Sequence, residues 1–221
     1  MSLLKTLADA FHEGGWPMWP ILLLMIISWG IAIERVIYLK KAGIDKEKLL
    51  SLLKSQIMAG NIQGAVKVCS GNPTPVTRVI QSGLTKFNRP DAEVQAAMDE
   101  QALKEIPKLE ARTGYLAMLG NVATLVGLLG TILGLIHSFA GVAGVDPSMK
   151  ATLLAKGISE AMNCTAFGLI CAIPALLWFA VLNGATQHIL DDINELSVQV
   201  VNLVVGHKSA MKAGAGGGQV G

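Results

Sequence analysis

Charge is scarce in this 221-residue chain, and its absence is concentrated in three places. No Asp, Glu, Lys or Arg occurs from Trp16 to Ile33, from Thr113 to Val145, or from Ala161 to Leu190. A net charge of +2 is too weak to suggest a nucleic-acid partner. Cysteine is equally sparse. Cys69, Cys164 and Cys171 are odd in number, and two of them fall in the third uncharged run, so neither a disulfide framework nor a metal-ligand cluster is expected. They read as small core residues. Walker A, G-x-S-x-G and metal-spaced His/Cys/Glu patterns are all missing, which points away from an enzyme and from any metal or cofactor.

The uncharged runs are themselves informative. A membrane-spanning helix needs about 20 largely apolar residues, and each run is long enough. The chain is 52% apolar with a mean hydropathy of +0.50, as a membrane protein requires. We therefore expect an all-α membrane protein with three transmembrane helices, over 16–39, 116–141 and 158–182. The first is too long for a signal-peptide core and lacks a small-residue cleavage site, so it reads as a retained anchor.

Orientation follows from the basic residues. Arg35, Lys40 and Lys41 follow the first span, while Lys5, Asp9 and Glu13 before it roughly cancel. The positive-inside rule places the N-terminus outside, a helical insert over 40–115 in the cytoplasm, a periplasmic loop over 142–157, and the C-terminus inside. Lys150 and Lys156 weigh mildly against this. Leu3, Leu4, Leu7 and Phe11 suggest an outer interfacial helix over 1–15, with a frayed terminus as the alternative. In the insert, Asp45 is placed to cap a helix carrying Leu49, Leu50, Leu52 and Leu53. Pro90-Asp91 opens a longer helix that Pro107 bends and that runs through Arg112 into the second span. Ile189, Ile193, Leu196, Val200 and Leu203 keep helical spacing, so the third span continues as a cytoplasmic helix over 183–206. The glycine-rich stretch 207–221 reads as a flexible tail.

Gly120, Thr124, Gly127, Thr131, Gly134, Ser138 and Gly141 alternate at spacings of four and three, which puts them on one face of the second span. Helices in lipid gain nothing from hiding apolar side chains, so such a face marks close packing or a polar path. It reads as the working face of a multi-subunit assembly, with Gly120, Gly127 and Gly134 as packing residues. Gly168, Ala172 and Ala175 form a second small-residue stripe in the third span, where Pro174 removes one backbone hydrogen bond and is expected to kink the helix.

Glu160 lies about one turn inside the third span, where an ionisable group is costly and functional by default. Snorkelling to the outer interface is the competing reading. Thr131 gains weight from the small-residue face, although bonding to a carbonyl one turn back explains most membrane threonines. Thr165 follows Glu160 by five residues, about 140° around the helix, so spacing alone does not unite them. His137 reads as interfacial. Glu34-Arg35 ends the first span as an adjacent pair of opposite charges suited to anchoring.

The run GNVATLVGLLGTILGLIHSF (120–139), followed by GISEAMNCTAFGLICAIPALL (157–177), resembles the MotA/TolQ/ExbB proton-channel family, and its ExbB/TolQ branch best. The resemblance implies an inner-membrane stator in which five such subunits surround two copies of a single-span ExbD/TolR-like partner. The partner carries the proton-binding aspartate, and the second and third spans line the pore. The family's polar pore residues fall on Thr131, Glu160 and Thr165. The energised process ends on a TonB/TolA-like or other envelope-spanning effector. Two departures stand out: Ala123-Thr124 replaces a frequent Ala-Pro, and Ala180 stands where the family usually has asparagine. The resemblance implies a proton-motive-force-driven motor subunit. A passive scaffold or ungated channel is the competing reading, and coupling to Na⁺ is equally compatible with hydroxyls and a carboxylate.

Overall fold

The computed structural model describes residue 11 and residues 13–216. All regular structure among them is helical: α1 (Met18–Ala42), α2 (Lys46–Met58), α3 (Ile62–Gly71), α4 (Pro75–Thr85), α5 (Asp91–Glu110), α6 (Thr113–Gly141) and α7 (Pro147–Gly216). The interfacial helix expected over 1–15 falls largely outside the described residues. Three helical stretches, carried by α1, α6 and α7, are long and apolar enough to cross a membrane. This is an all-helical, multi-pass membrane protein.

The chain divides into two compact units, one of residues 1–36 and 112–182, the other of residues 37–111 and 183–221. In the first, α1 turns a narrow face inward through Met18, Ile21, Ser28, Ala32 and Arg35. That recurrence at three, four and seven residues is the helical period. Ile21 packs with Ala123 of α6 and with Cys171 and Ala172 of α7, and Leu24, Met25, Val126 and Phe167 close around them. Large apolar side chains on the outer faces, among them Leu23, Ile26, Leu125 and Leu177, stay exposed, as lipid-facing or partner-facing residues do.

The second unit is built as a water-soluble bundle, with apolar residues at helical spacing and polar caps. Asp45 accepts from the Lys48 amide at 3.2 Å and starts α2, whose Leu49, Leu53 and Ile57 are buried. Asn61 caps α3 by accepting from the Gly64 amide at 2.9 Å. Thr74 and Thr77 form a reciprocal capping box at the start of α4, where Pro75 occupies a position that needs no amide hydrogen. Gly83 lets α5 approach closely, since a Cβ there would overlap the Met98 side chain.

Glu105 of α5 is nearly fully buried and is held by Lys108 Nζ at 2.9 Å, Gln101 Nε2 at 3.1 Å and Arg78 Nη1 at 3.4 Å. A buried carboxylate is tolerable only when so surrounded. Lys46 Nζ meets Glu195 at 2.9 Å and Asp192 at 3.4 Å. Lys208 Nζ bonds Asp91 Oδ1 at 2.7 Å and the Arg89 carbonyl at 2.8 Å. Burial pushes the Cys69 thiol up to about 11, so it is inert at neutral pH.

Several boundaries differ from the sequence expectation. The chain does not run as one helix through Arg112. α5 tolerates Pro107 and ends at Glu110, Ala111 is extended, and Arg112 takes a left-handed φ of 61° before α6 begins. That conformation costs a non-glycine residue about 1–2 kcal/mol. At this turn Arg112 Nη1 reaches Glu34 Oε2 at 3.1 Å. α7 begins at Pro147, inside the segment expected to be a loop, because proline suits the first turn of a helix. It continues to Gly216, past the start of the expected tail. Within it, Val204 takes the fully buried position after Val200, and Leu203 is half-buried beside it.

Candidate functional site

The α6–α7 contact in the first unit is built from residues with almost no side chain. The buried face of α6 comprises Leu116, Leu119, Gly120, Ala123, Gly127, Gly130, Gly134 and Ser138. A Cβ added to Gly127 would lie 3.0 Å from the Cys164 carbonyl oxygen and 3.2 Å from the Gly168 Cα. One added to Gly168 would lie 2.9 Å from the Ala123 carbonyl oxygen. Gly134 sits against Ala161, Gly120 against Leu176 and the Ala172 carbonyl, and a Cβ on Gly157 would overlap the Ser138 hydroxyl. The backbones thus approach as closely as the residue types allow.

The glycine face read as a contact between subunits is therefore occupied within a single chain. Thr124 and Thr131 lie beside it, and Gly141 has open space around it. Gly130, Gly157 and Ala161 belong to the same contact and are not singled out by the sequence, and Cys164 joins them as the small core residue it reads as. The small residues at Gly130 and Gly157 were visible there, but nothing in the spacing told which turns would meet.

Thr131 and Thr165 come to one level of this contact. Thr165 Oγ1 donates across the helices to the Gly127 carbonyl at 3.3 Å. Thr131 Oγ1 donates to the next carbonyl, that of Leu128, at 2.5 Å. Both hydroxyls are half-buried and keep lone pairs able to accept, so each can take part in a chain of hydrogen bonds.

Glu160 stands apart from both. It is half-buried on α7 beside the chain that precedes α1, and its Oε1 would lie 2.7 Å from a Cβ placed on Gly15. Gly15 has φ +70°, a conformation suited to glycine, and its missing side chain leaves room for the carboxylate. The same stretch before α1 is tied to α7 twice more. Cys164 Sγ donates to the Gly14 carbonyl at 3.0 Å, and Asn163 Nδ2 donates to Glu13 Oε2 at 3.3 Å. His137 is exposed on α6. α7 remains helical through Pro174.

The α6–α7 contact lies within the stretch, residues 72–195, that matches the MotA/TolQ/ExbB proton channel family. The chain belongs to that family. It is 32% identical over 167 residues to the Tol-Pal system protein TolQ of Pseudomonas aeruginosa, covering 69% of this chain and 70% of the relative. Over 188 residues it is 32% identical to the putative biopolymer transport protein ExbB-like 1 of Synechocystis, covering 84% and 74%. The Haemophilus influenzae TolQ is 30% identical over 165 residues, covering 69% and 71%. Within the family the likeness is to the ExbB/TolQ branch, and the family is one of proton-channel and transport subunits rather than of enzymes. The matched residues include α6 and the part of α7 that bears Glu160, Thr165 and Gly168.

Proposed function

We propose that this chain is the inner-membrane stator subunit of a proton-motive-force-driven motor. In this reading five copies form a ring around two copies of a single-span ExbD/TolR-like protein, with Thr131, Glu160 and Thr165 on the proton path. The N-terminus is periplasmic, and the 40–115 insert and the C-terminus are cytoplasmic. The observation that carries the reading is the joint presence of family membership and two hydroxyls donating to the adjacent carbonyls of Gly127 and Leu128.

The chemistry is simple. Threonine hydroxyls each accept one proton and donate another, so they carry a proton without charging themselves. A carboxylate at the position of Glu160 supports positive charge in a region of low dielectric. One charge crossing the membrane releases about 2.3 kcal/mol per 100 mV. A few protons then match the work of displacing one protein contact. The partner supplies the aspartate that is loaded and unloaded, and its downstream effector is of the TonB/TolA type.

Co-purification tests the assembly. The full chain expressed with the ExbD/TolR-like protein of its own host should give one complex whose native mass fits a five-to-two composition. A monomer or dimer free of the partner overturns the stator reading and favours a passive scaffold.

A further inference from the structure

An open groove of about 460 Å³ runs along α1 and the start of α6 in the first unit, lined by Ile27, Gly30, Ile31, Glu34, Arg112 and Tyr115. Three features set it apart from the rest of the apolar surface. Its floor is Gly30, where an added Cβ would meet nothing within 4 Å, so the groove is a furrow in the helix surface open to whatever surrounds it. Its length crosses from the uncharged run of the first span to the charges that bound the first and second runs, Glu34 and Arg112. Its charged end is held by a backbone outlier: the left-handed Arg112 turn, with Arg112 Nη1 on Glu34 Oε2 at 3.1 Å. An arginine in that conformation, more than half exposed at 60%, points to a role for its side chain.

We propose that this groove binds one phospholipid with a primary-amine zwitterionic head group, phosphatidylethanolamine, as a specific site. Apolar Ile27, Gly30 and Ile31 take an acyl chain. The guanidinium of Arg112 presents five donors and spends one on Glu34, so its remaining N–H groups hold the phosphate. The Tyr115 side chain, 55% exposed beside it, adds a hydroxyl donor. Glu34 Oε1, which lies 4.0 Å from Nη1 of the buried Arg35, has lone pairs to accept from the ammonium, which donates three hydrogen bonds. The groove's lining presents one cation, Arg112, and one anion, Glu34, side by side, with the buried Arg35 behind Glu34 at 4.0 Å, and so complements a head group carrying both charges. An anionic glycerol head group brings only neutral hydroxyls to Glu34, with no cation to meet its charge. A quaternary choline has no N–H to donate there. The proposal does not depend on the proton path, since none of its residues belongs to it.

The test is retention of lipid by the full chain, taken through staged delipidation and followed by native mass spectrometry. Wild type is compared with Gly30→Leu, Arg112→Gln and Glu34→Gln after exchange into nanodiscs of phosphatidylethanolamine, phosphatidylglycerol or phosphatidylcholine. Wild type should hold one phosphatidylethanolamine per chain after bulk lipid is gone. Loss of one charge-assisted hydrogen bond should lower occupancy about tenfold in Arg112→Gln. Gly30→Leu should lower it similarly by filling the furrow, with unchanged melting because open space surrounds Gly30. Glu34→Gln should erase the preference over phosphatidylglycerol. Equal retention of phosphatidylethanolamine by a normally melting Gly30→Leu protein overturns the proposal, as does equal retention of all three lipids by wild type. High-yield disulfide formation between neighbouring copies of Gly30→Cys also overturns it, by showing that protein covers the groove.

Discussion

Thr165 and Thr131 send their hydroxyls to neighbouring carbonyls of the same helix, Gly127 at 3.3 Å and Leu128 at 2.5 Å. The two differ in kind. The Thr131 bond closes within α6, whereas the Thr165 bond joins α7 to α6 beside the close approach of Gly127 to Gly168. Any role that Thr165 has in moving protons is therefore coupled to the packing of the two helices, and Thr131 is freer to exchange partners.

That packing gives the first prediction. Gly127→Ala places a Cβ 3.0 Å from the Cys164 carbonyl oxygen, so a backbone must give by a few tenths of an ångström. Gly127→Leu cannot be accommodated without separating α6 from α7. Overpacking of this kind costs about 1–3 kcal/mol. Thermal unfolding in detergent should rank wild type above Gly127→Ala above Gly127→Leu. Gly114→Ala, in open space, should melt like wild type. A Gly127→Leu protein as stable as wild type would contradict the close contact within one chain.

A second prediction concerns pH and the second unit. The Lys46 ammonium, by hydrogen bond and by charge, holds the Glu195 carboxyl below its ordinary 4.5, and Glu195 in turn holds Lys46 above its ordinary 10.5. A depressed acid stabilises the fold above its unfolded value and loses that contribution as pH falls through the folded one. A raised lysine contributes below its unfolded value and loses it as pH rises through the folded one. The stability difference between wild type and Glu195→Gln should thus be flat from about pH 5 to 10 and shrink outside that range. Both groups are exposed, so the plateau should be small and should fall further in high salt. A difference that grows below pH 4 would reverse the assignment.

Much of this arrangement was legible in the sequence. The uncharged runs mark the apolar helices because lipid tolerates no unpaired charge, and the Ile189–Ile193–Leu196–Val200 spacing carries α7 onward as a helix. Asp45 before a leucine run signals a cap. What the sequence does not contain is register. The spacing of Gly120, Gly127 and Gly134 defines a face, yet nothing in it says that Gly168 and Ala161 of the same chain lie opposite. Thr131 and Thr165 share a level only because α6 and α7 pack in that register. The break at Arg112 was hidden for another reason. Left-handed turns are signalled by glycine or asparagine, and an arginine in that conformation carries no such signal. Glu160 was visible as a costly charge, but its place beside Gly15 depends on how the chain before α1 folds back.

Orientation gives the third prediction. Native cysteines provide little background, because Cys69, Cys164 and Cys171 are all buried. Ser148 and Glu100 are both exposed, so cysteine at either position meets solvent on its own side of the membrane. In intact cells with a permeable outer membrane, an impermeant maleimide should label Ser148→Cys at once. Glu100→Cys should react only after the inner membrane is opened. The opposite pattern would place the insert outside and reverse the reading of Arg35, Lys40 and Lys41.

The last prediction separates proton relay from scaffold. Thr131→Val and Thr165→Val keep the side-chain shape and remove the hydroxyl, while Glu160→Gln keeps size and removes charge. Losing the Thr131 bond frees only a carbonyl already bonded within its helix, so stability should change by about 1 kcal/mol or less. Losing the Thr165 bond also removes a tie between helices, so Thr165→Val should be the less stable of the two by about 0.5–1 kcal/mol. Assembly with the ExbD/TolR-like partner should survive in all three. Proton flux in vesicles holding the complex, driven by an imposed potential and abolished by uncoupler, should fall at least tenfold in Glu160→Gln and in each threonine variant. The informative comparison is flux against melting temperature. If flux merely tracks stability, so that Thr165→Val is the only impaired variant, the hydroxyls serve packing alone. If Thr131→Val loses flux with wild-type melting, the hydroxyl itself carries the proton. Flux at the wild-type level in all three variants would leave the scaffold reading in possession of the site.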